Sequence, residues 1–256
     1  MEIKDNYFVD KIPKQQVRQF WGLIGWSLIR HKVLLPTFSM TQVVLALAIV
    51  YGLALLMPNM SHTDTLYLSS GAITIGIIAV GCVLAAQIVS TAKQDGVVAY
   101  QKTLPVARTK IILADVIIWS LASIPGVIMS CIAATSRFHV DLYVSPISIT
   151  VIVLAQITMV LIDFSLAYWL SANAMALTTQ VIMIGGLLFS PITYPADRIP
   201  FWLTSVYELL PFVPASNLIR ATLFHAAPFS YLNLLVLLTW LTTAFALSLL
   251  ALSKRS

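Results

Sequence analysis

Residues 185–224 read GGLLFSPITYPADRIPFWLTSVYELLPFVPASNLIRATLF and lie between two long apolar runs. They hold five of the chain's twelve prolines: Pro191, Pro195, Pro200, Pro211 and Pro214. Proline lacks an amide donor and breaks a helix interior. The stretch therefore cannot be one straight spanning helix. Yet it stays apolar and aromatic, unlike a solvated loop. It reads as short, broken amphipathic helices held near one membrane face.

The rest of the chain supports lipid as its solvent. Of 256 residues, 59% are hydrophobic and 10% charged, and the mean hydropathy is +0.91. A soluble domain carries about 25% charge. The net charge of +5 is no sign of nucleic-acid binding, because the basic residues flank apolar runs instead of forming a patch. Cys82 and Cys131 sit in separate apolar runs and read as small buried hydrophobes. The four histidines lack metal-ligand spacing, so no metal site is expected. No cleavable leader is evident, since the first apolar run is long enough to remain as an anchor.

We expect six spans, at about 36–57, 66–90, 111–134, 147–170, 175–191 and 230–252. Pro125 should kink the third. Ala72, Gly76, Gly81 and Ala85 give the second a face for close helix packing. Before the first span, residues 13–32 place Val17, Phe20, Trp21, Ile24 and Leu28 on one helical stripe. That is the pattern of an interfacial helix. Lysines and arginines on alternate sides of the spans count twelve against three. Both termini and the 91–110 loop are therefore expected in the cytoplasm, and the proline-broken piece, 191–229, outside.

The loop 91–110, TAKQDGVVAYQKTLPVARTK, leads from Asp95-Gly96 into an amphipathic pattern. The chain turns again at Leu104-Pro105-Val106. Such a segment suits docking onto a soluble partner, or serves as a plain connecting loop. No G-x-x-x-x-G-K-[ST], H-E-x-x-H or G-x-S-x-G is present, so neither a P-loop nor a hydrolase site is expected. Polar residues inside spans remain the chemical clue. Asp163 and Gln156 share one face of span four, and Gln42 and Gln87 fall in spans one and two. They read either as a polar path lining or as interhelical hydrogen bonds. Asp115 reads as an ion-pair partner of Lys110 or Arg108.

This order resembles the ABC-2 type permease family, the transmembrane subunits of ATP-binding-cassette exporters. Asp95-Gly96 followed by Leu104-Pro105 looks like the family's coupling segment, although Lys93-Gln94-Asp95-Gly96 stands where a Glu-Arg-x-x-Gly form is usual. Phe189-Ser190-Pro191, Tyr194-Pro195, Ile199-Pro200 and Leu210-Pro211 resemble its late proline segment. The resemblance implies an all-α membrane protein, a single permease domain over 1–256 with six transmembrane helices. It implies an ATPase-coupling element at Asp95, Gly96, Tyr100, Leu104 and Pro105. It also implies an extracellular re-entrant gate shaped by Pro191, Pro195, Pro200 and Pro211. Such subunits dimerise, most simply as homodimers, and pair with two copies of an ABC ATPase. That partner, not this chain, binds ATP and magnesium. The implied setting is the bacterial cytoplasmic membrane and the implied cargo a drug, antimicrobial peptide or other amphiphile. A polysaccharide or lipid-linked glycan is the alternative cargo, and an integral membrane enzyme the more distant reading.

Overall fold

The computed structural model describes residues 3–56, 61–79 and 85–253. Among them every regular element is helical: α1 (Ile3–His31), α2 (Leu34–Leu56), α3 (His62–Ala79), α4 (Ala85–Gln94), α5 (Val97–Thr103), α6 (Arg108–Phe138), α7 (Pro146–Trp169), α8 (Ala172–Ile184), α9 (Phe201–Leu209), α10 (Phe212–Leu223) and α11 (Tyr231–Ser253). A π-type turn, Gly185–Phe189, prolongs α8, and a 3-10 turn, Ala196–Arg198, precedes α9. Four of these helices, α2 over Leu34–Gly52, α6, α7 and α11, are long and apolar enough to cross a bilayer. Gly81 and Cys82 lie outside the described residues, as do the side chains of Gln87 and Arg198.

Local chemistry sets the helix ends. At the start of α7 the Ser148 amide donates to Ser145 Oγ, and the Ser145 amide donates back to Ser148 Oγ. With Pro146 in the first turn, two orphan donors and a missing one are settled together. Ser171 caps α8 through the Ala174 amide. His139 ends α6 in the left-handed region, φ 54°, its amide bonded to Thr135 O.

Helix α7 sits at the centre, packed along α11 and against α4, α10 and α6, while α2 lies along α6. Small residues make these approaches close, as packing within a membrane requires. A Cβ on Gly126 of α6 would stand 2.8 Å from Gln42 Cβ, and one on Gly76 would stand 3.6 Å from Ser130 Oγ. Pro125 lies inside a continuous α6. The α1 stripe divides. Ile24 and Phe20 pack on Ala114 and Ile118 of α6, whereas Val17, Trp21 and Leu28 stay exposed. Ser27 and His31, unremarked in the sequence pattern, complete the buried face.

Candidate coupling and gating sites

An elbow joins α4 to α5 at the start of α6. Asp95 N bonds Thr91 O, and Gly96 adopts φ 75°, which reverses the chain into α5. Helix α5 buries Val98 and Gln101, and Tyr100 stays 57% exposed. Leu104 and Pro105 then turn the chain into α6, Val106 N bonding Leu104 O at 2.8 Å. Asp95, Gly96, Tyr100 and Pro105 thus share one exposed tip.

Two cations fasten that tip. Lys93 Nζ donates to Tyr168 O at 3.0 Å and Leu170 O at 3.1 Å, closing the C-terminal end of α7. The Arg108 guanidinium donates to Gln101 O at 3.0 Å and to Lys102 O, closing the end of α5. Beneath α5 lies a narrow cleft in which Arg30, His31, Gln101, Asp115 and Tyr168 stand among apolar residues such as Val98 and Trp119. Ser27 Oγ donates to Asp115 Oδ1 at 2.8 Å, and Gln101 also bonds this carboxylate. Asp115 is therefore not the partner of Lys110 or Arg108. Lys110 reaches back to Gln16 O and Gln19 Oε1 on α1, and Arg108 is committed to α5. His31 donates through Nδ1 to Ser27 O at 2.9 Å and stands edge-on to Trp119. Burial, reinforced by the Arg30 charge and opposed by the Ser27 bond, holds its imidazole below the ordinary histidine range.

The other end of α6 meets the proline-rich assembly. The helix has 31 residues, so its two ends stand roughly 45 Å apart at ~1.5 Å per residue. Tyr143 N, just beyond α6, bonds Leu223 O at 2.8 Å at the end of α10. Pro191 is buried in the turn after the π-type turn, Pro195 precedes the 3-10 turn, and Pro200 and Pro211 stand immediately before α9 and α10. Arg220 holds the pieces together. Only 2% exposed, it donates to Ser70 Oγ on α3 (3.0 Å), Ile192 O (2.9 Å), Asn217 Oδ1 (2.9 Å) and Ser216 Oγ (3.2 Å). Its guanidinium also covers the Tyr67 ring at 3.6 Å. Gly71 lets the loop lie on α3, since a Cβ there would stand 2.7 Å from Thr193 Cγ2 and 2.9 Å from Ile192 O.

Arg220 entered the sequence reading only as a loop charge. Its spacing was the available signal: Ser216, Asn217 and Arg220 are neighbours on one helical face inside an apolar stretch.

The candidate path residues are placed differently. Gln42 faces Gly126 within the α2–α6 contact. Gln156 and Asp163 are buried on α7. Among the described residues, the Gln42 Nε2 atom, both amide atoms of Gln156 and both carboxylate oxygens of Asp163 have no hydrogen-bond partner. None of these three residues lines the cleft beneath α5. Gln87 lies on α4.

Long apolar helices with an exposed elbow at one end and a pinned, broken assembly at the other define a multi-pass helical membrane protein. A family model described as ABC-2 type transporter matches residues 18–224. The chain belongs to that family, and so is the membrane component of an ABC-type transporter whose implied partner is an ABC ATPase subunit. The match takes in the elbow and the Arg220 assembly and ends before α11. Comparison with curated proteins gave no match.

Proposed function

We propose that two copies of this chain form the path of an exporter for a drug, antimicrobial peptide or other amphiphile, driven by two copies of a separate ATPase. The six spans are α2, α3 with α4, α6, α7, α8 with its π-type turn, and α11. Both termini lie in the cytoplasm of a bacterial cell, and α1 lies in the interface. The elbow carries this reading. An exposed Tyr100 on a short helix, fastened to α7 by Lys93 and capped by Arg108, is a rigid lever and not a slack loop. ATP and magnesium belong to the partner. Its closure would press on α5 and act on α1 and α6 through Gln101, Asp115 and Ser27. The outer assembly, shaped by Pro191, Pro195, Pro200 and Pro211, would then change between closed and open populations.

A polysaccharide or lipid-linked glycan is the alternative cargo, for which aromatic rings would line the path. Trp119 is buried between His31 and Phe38. The Trp169 and Trp240 indoles donate to Leu247 O and Leu209 O. These three rings make packing or hydrogen-bond contacts, whereas Phe201, Trp202 and Tyr231 stay exposed.

Co-purification tests the proposal. The tagged chain should capture an ATPase, and Asp95→Lys with Tyr100→Glu should abolish capture while the chain's own yield is unchanged. An unaltered yield of bound ATPase, with unaltered cargo-stimulated hydrolysis, would sink the elbow as the docking site.

A further inference from the structure

A cleft of about 370 Å³ lies between α7, α8 and α11, roofed by the junction of α9 and α10. That is within the ~300–1,000 Å³ range of small-ligand pockets. Its floor is Ile162, Ser165, Phe212 and Ala244, all buried. Its rim includes Val181 and Leu247, which are exposed. The π-type turn shapes one wall through Gly185 and Gly186, and Tyr207 from α9 bridges to it, its hydroxyl donating to Gly185 O at 3.1 Å.

The polar groups in this cleft are already engaged. The Ser165 hydroxyl donates to Ile162 O at 2.7 Å and that of Thr243 to Thr239 O at 2.7 Å. Among the described residues, no charged side chain lines it. The cleft therefore offers a headgroup nothing to bind. An apolar space of this kind does not hold water stably. Left empty, it would forfeit the contacts of its lining atoms. Two of its walls, α7 and α11, are helices of membrane-spanning length, so its mouth opens where hydrocarbon is the solvent.

We infer that the cleft binds one acyl chain of a bilayer phospholipid, seated under the α9–α10 junction. Occupancy supports the outer assembly from below, where Tyr207 ties α9 to the end of α8. The inference rests on the membrane setting of the chain and not on its transport activity.

The full chain in nanodiscs of phosphatidylcholine, doped with a phospholipid bearing a diazirine in one acyl chain, provides the test. After irradiation, label should concentrate on Ile162, Val181 and Ala244 over Leu235 and Leu250, which are exposed on α11. Val181→Phe, at the exposed rim, and Ala244→Trp, at the floor, should each lower cleft labelling by about tenfold and leave Leu235 unchanged. Should Ala244→Trp fail to fold, Val181→Phe alone decides. Uniform labelling along α11, or labelling insensitive to Val181→Phe, overturns the inference. So does efficient bismaleimide cross-linking of Val181→Cys between two copies, because a second chain would then fill the cleft.

Discussion

Arg220 is a cation without a carboxylate, held by neutral oxygens and a ring. Removing it strands the Ser216 hydroxyl and the Ile192 carbonyl in a buried place, while Ser70 Oγ keeps its bond to Tyr67 O. Each unsatisfied group costs ~1–3 kcal/mol. Arg220→Ala should therefore destabilise the chain by about 2–4 kcal/mol, read as a lower midpoint of thermal unfolding in detergent. Arg220→Lys keeps the charge but cannot spread four bonds over three segments, so it should recover less than half of the loss. Full recovery by lysine would mean that charge alone matters there. Asp163 poses the opposite case, a fully buried carboxyl with no partner among the described residues. Asp163→Asn should leave expression intact and lower transport. Equal loss of both would assign it to packing.

His31 is the residue through which pH acts on α1. Its pKa is lowered in the folded chain, chiefly by burial. The unfolded state therefore binds the proton more readily. The stabilisation is fully present above the ordinary value of 6.5 and is lost as pH falls from there through the folded value. Amide exchange in residues 24–31, corrected for intrinsic rate, should quicken between pH 7 and 5. His31→Gln should remove most of that dependence. A His31→Gln chain with the same pH profile would point to another group.

Among the elements, α5 was the hardest to read from sequence and the most dependent on its neighbours. Asp95-Gly96 marked a turn because glycine alone enters φ 75° freely. Nothing in the pattern of 91–110 revealed that Lys93 closes α7 or that Arg108 closes α5, since both are contacts across other elements. Asp115 was misassigned for the same reason: Lys110 and Arg108 are near in sequence, but Ser27 and Gln101 are near in space. By contrast the ends of α7 were legible to within a residue or so, because Ser145-Pro146 is a local signal. The broken nature of 185–224 was legible for a like reason, proline acting on its own backbone. Its assembly was not, because Arg220 and Gly71 work through long-range contacts. Gly96→Ala should cost about 1–2 kcal/mol in local strain and misdirect α5. The expected reading is a full yield of chain with a reduced share of bound ATPase. An undiminished share would show that the left-handed turn does not aim the lever.

At the scale of the molecule, α6 runs from the elbow to the loop whose Tyr143 bonds the end of α10. The six proposed spans put the elbow and the proline-rich assembly at opposite membrane faces. The four helices of spanning length do not by themselves require this. Helices α3 and α4 are separated by residues outside the description, and α8 has only 13 residues before its π-type turn. Together the 18 residues 172–189 could extend about 27 Å at ~1.5 Å per residue, close to a hydrocarbon core of ~30 Å. Single cysteines decide the matter, placed in a chain whose Cys82 and Cys131 are replaced by alanine. Asp95→Cys should react with an impermeant maleimide only after cells are opened. Ser230→Cys and Ser61→Cys should react in intact cells. If Ser230→Cys were protected while Ser61→Cys reacted, the α8 segment would not cross, and the proline-broken assembly could not be an outer gate. If all three were protected in intact cells and reacted after opening, the alternation of sides would fail altogether.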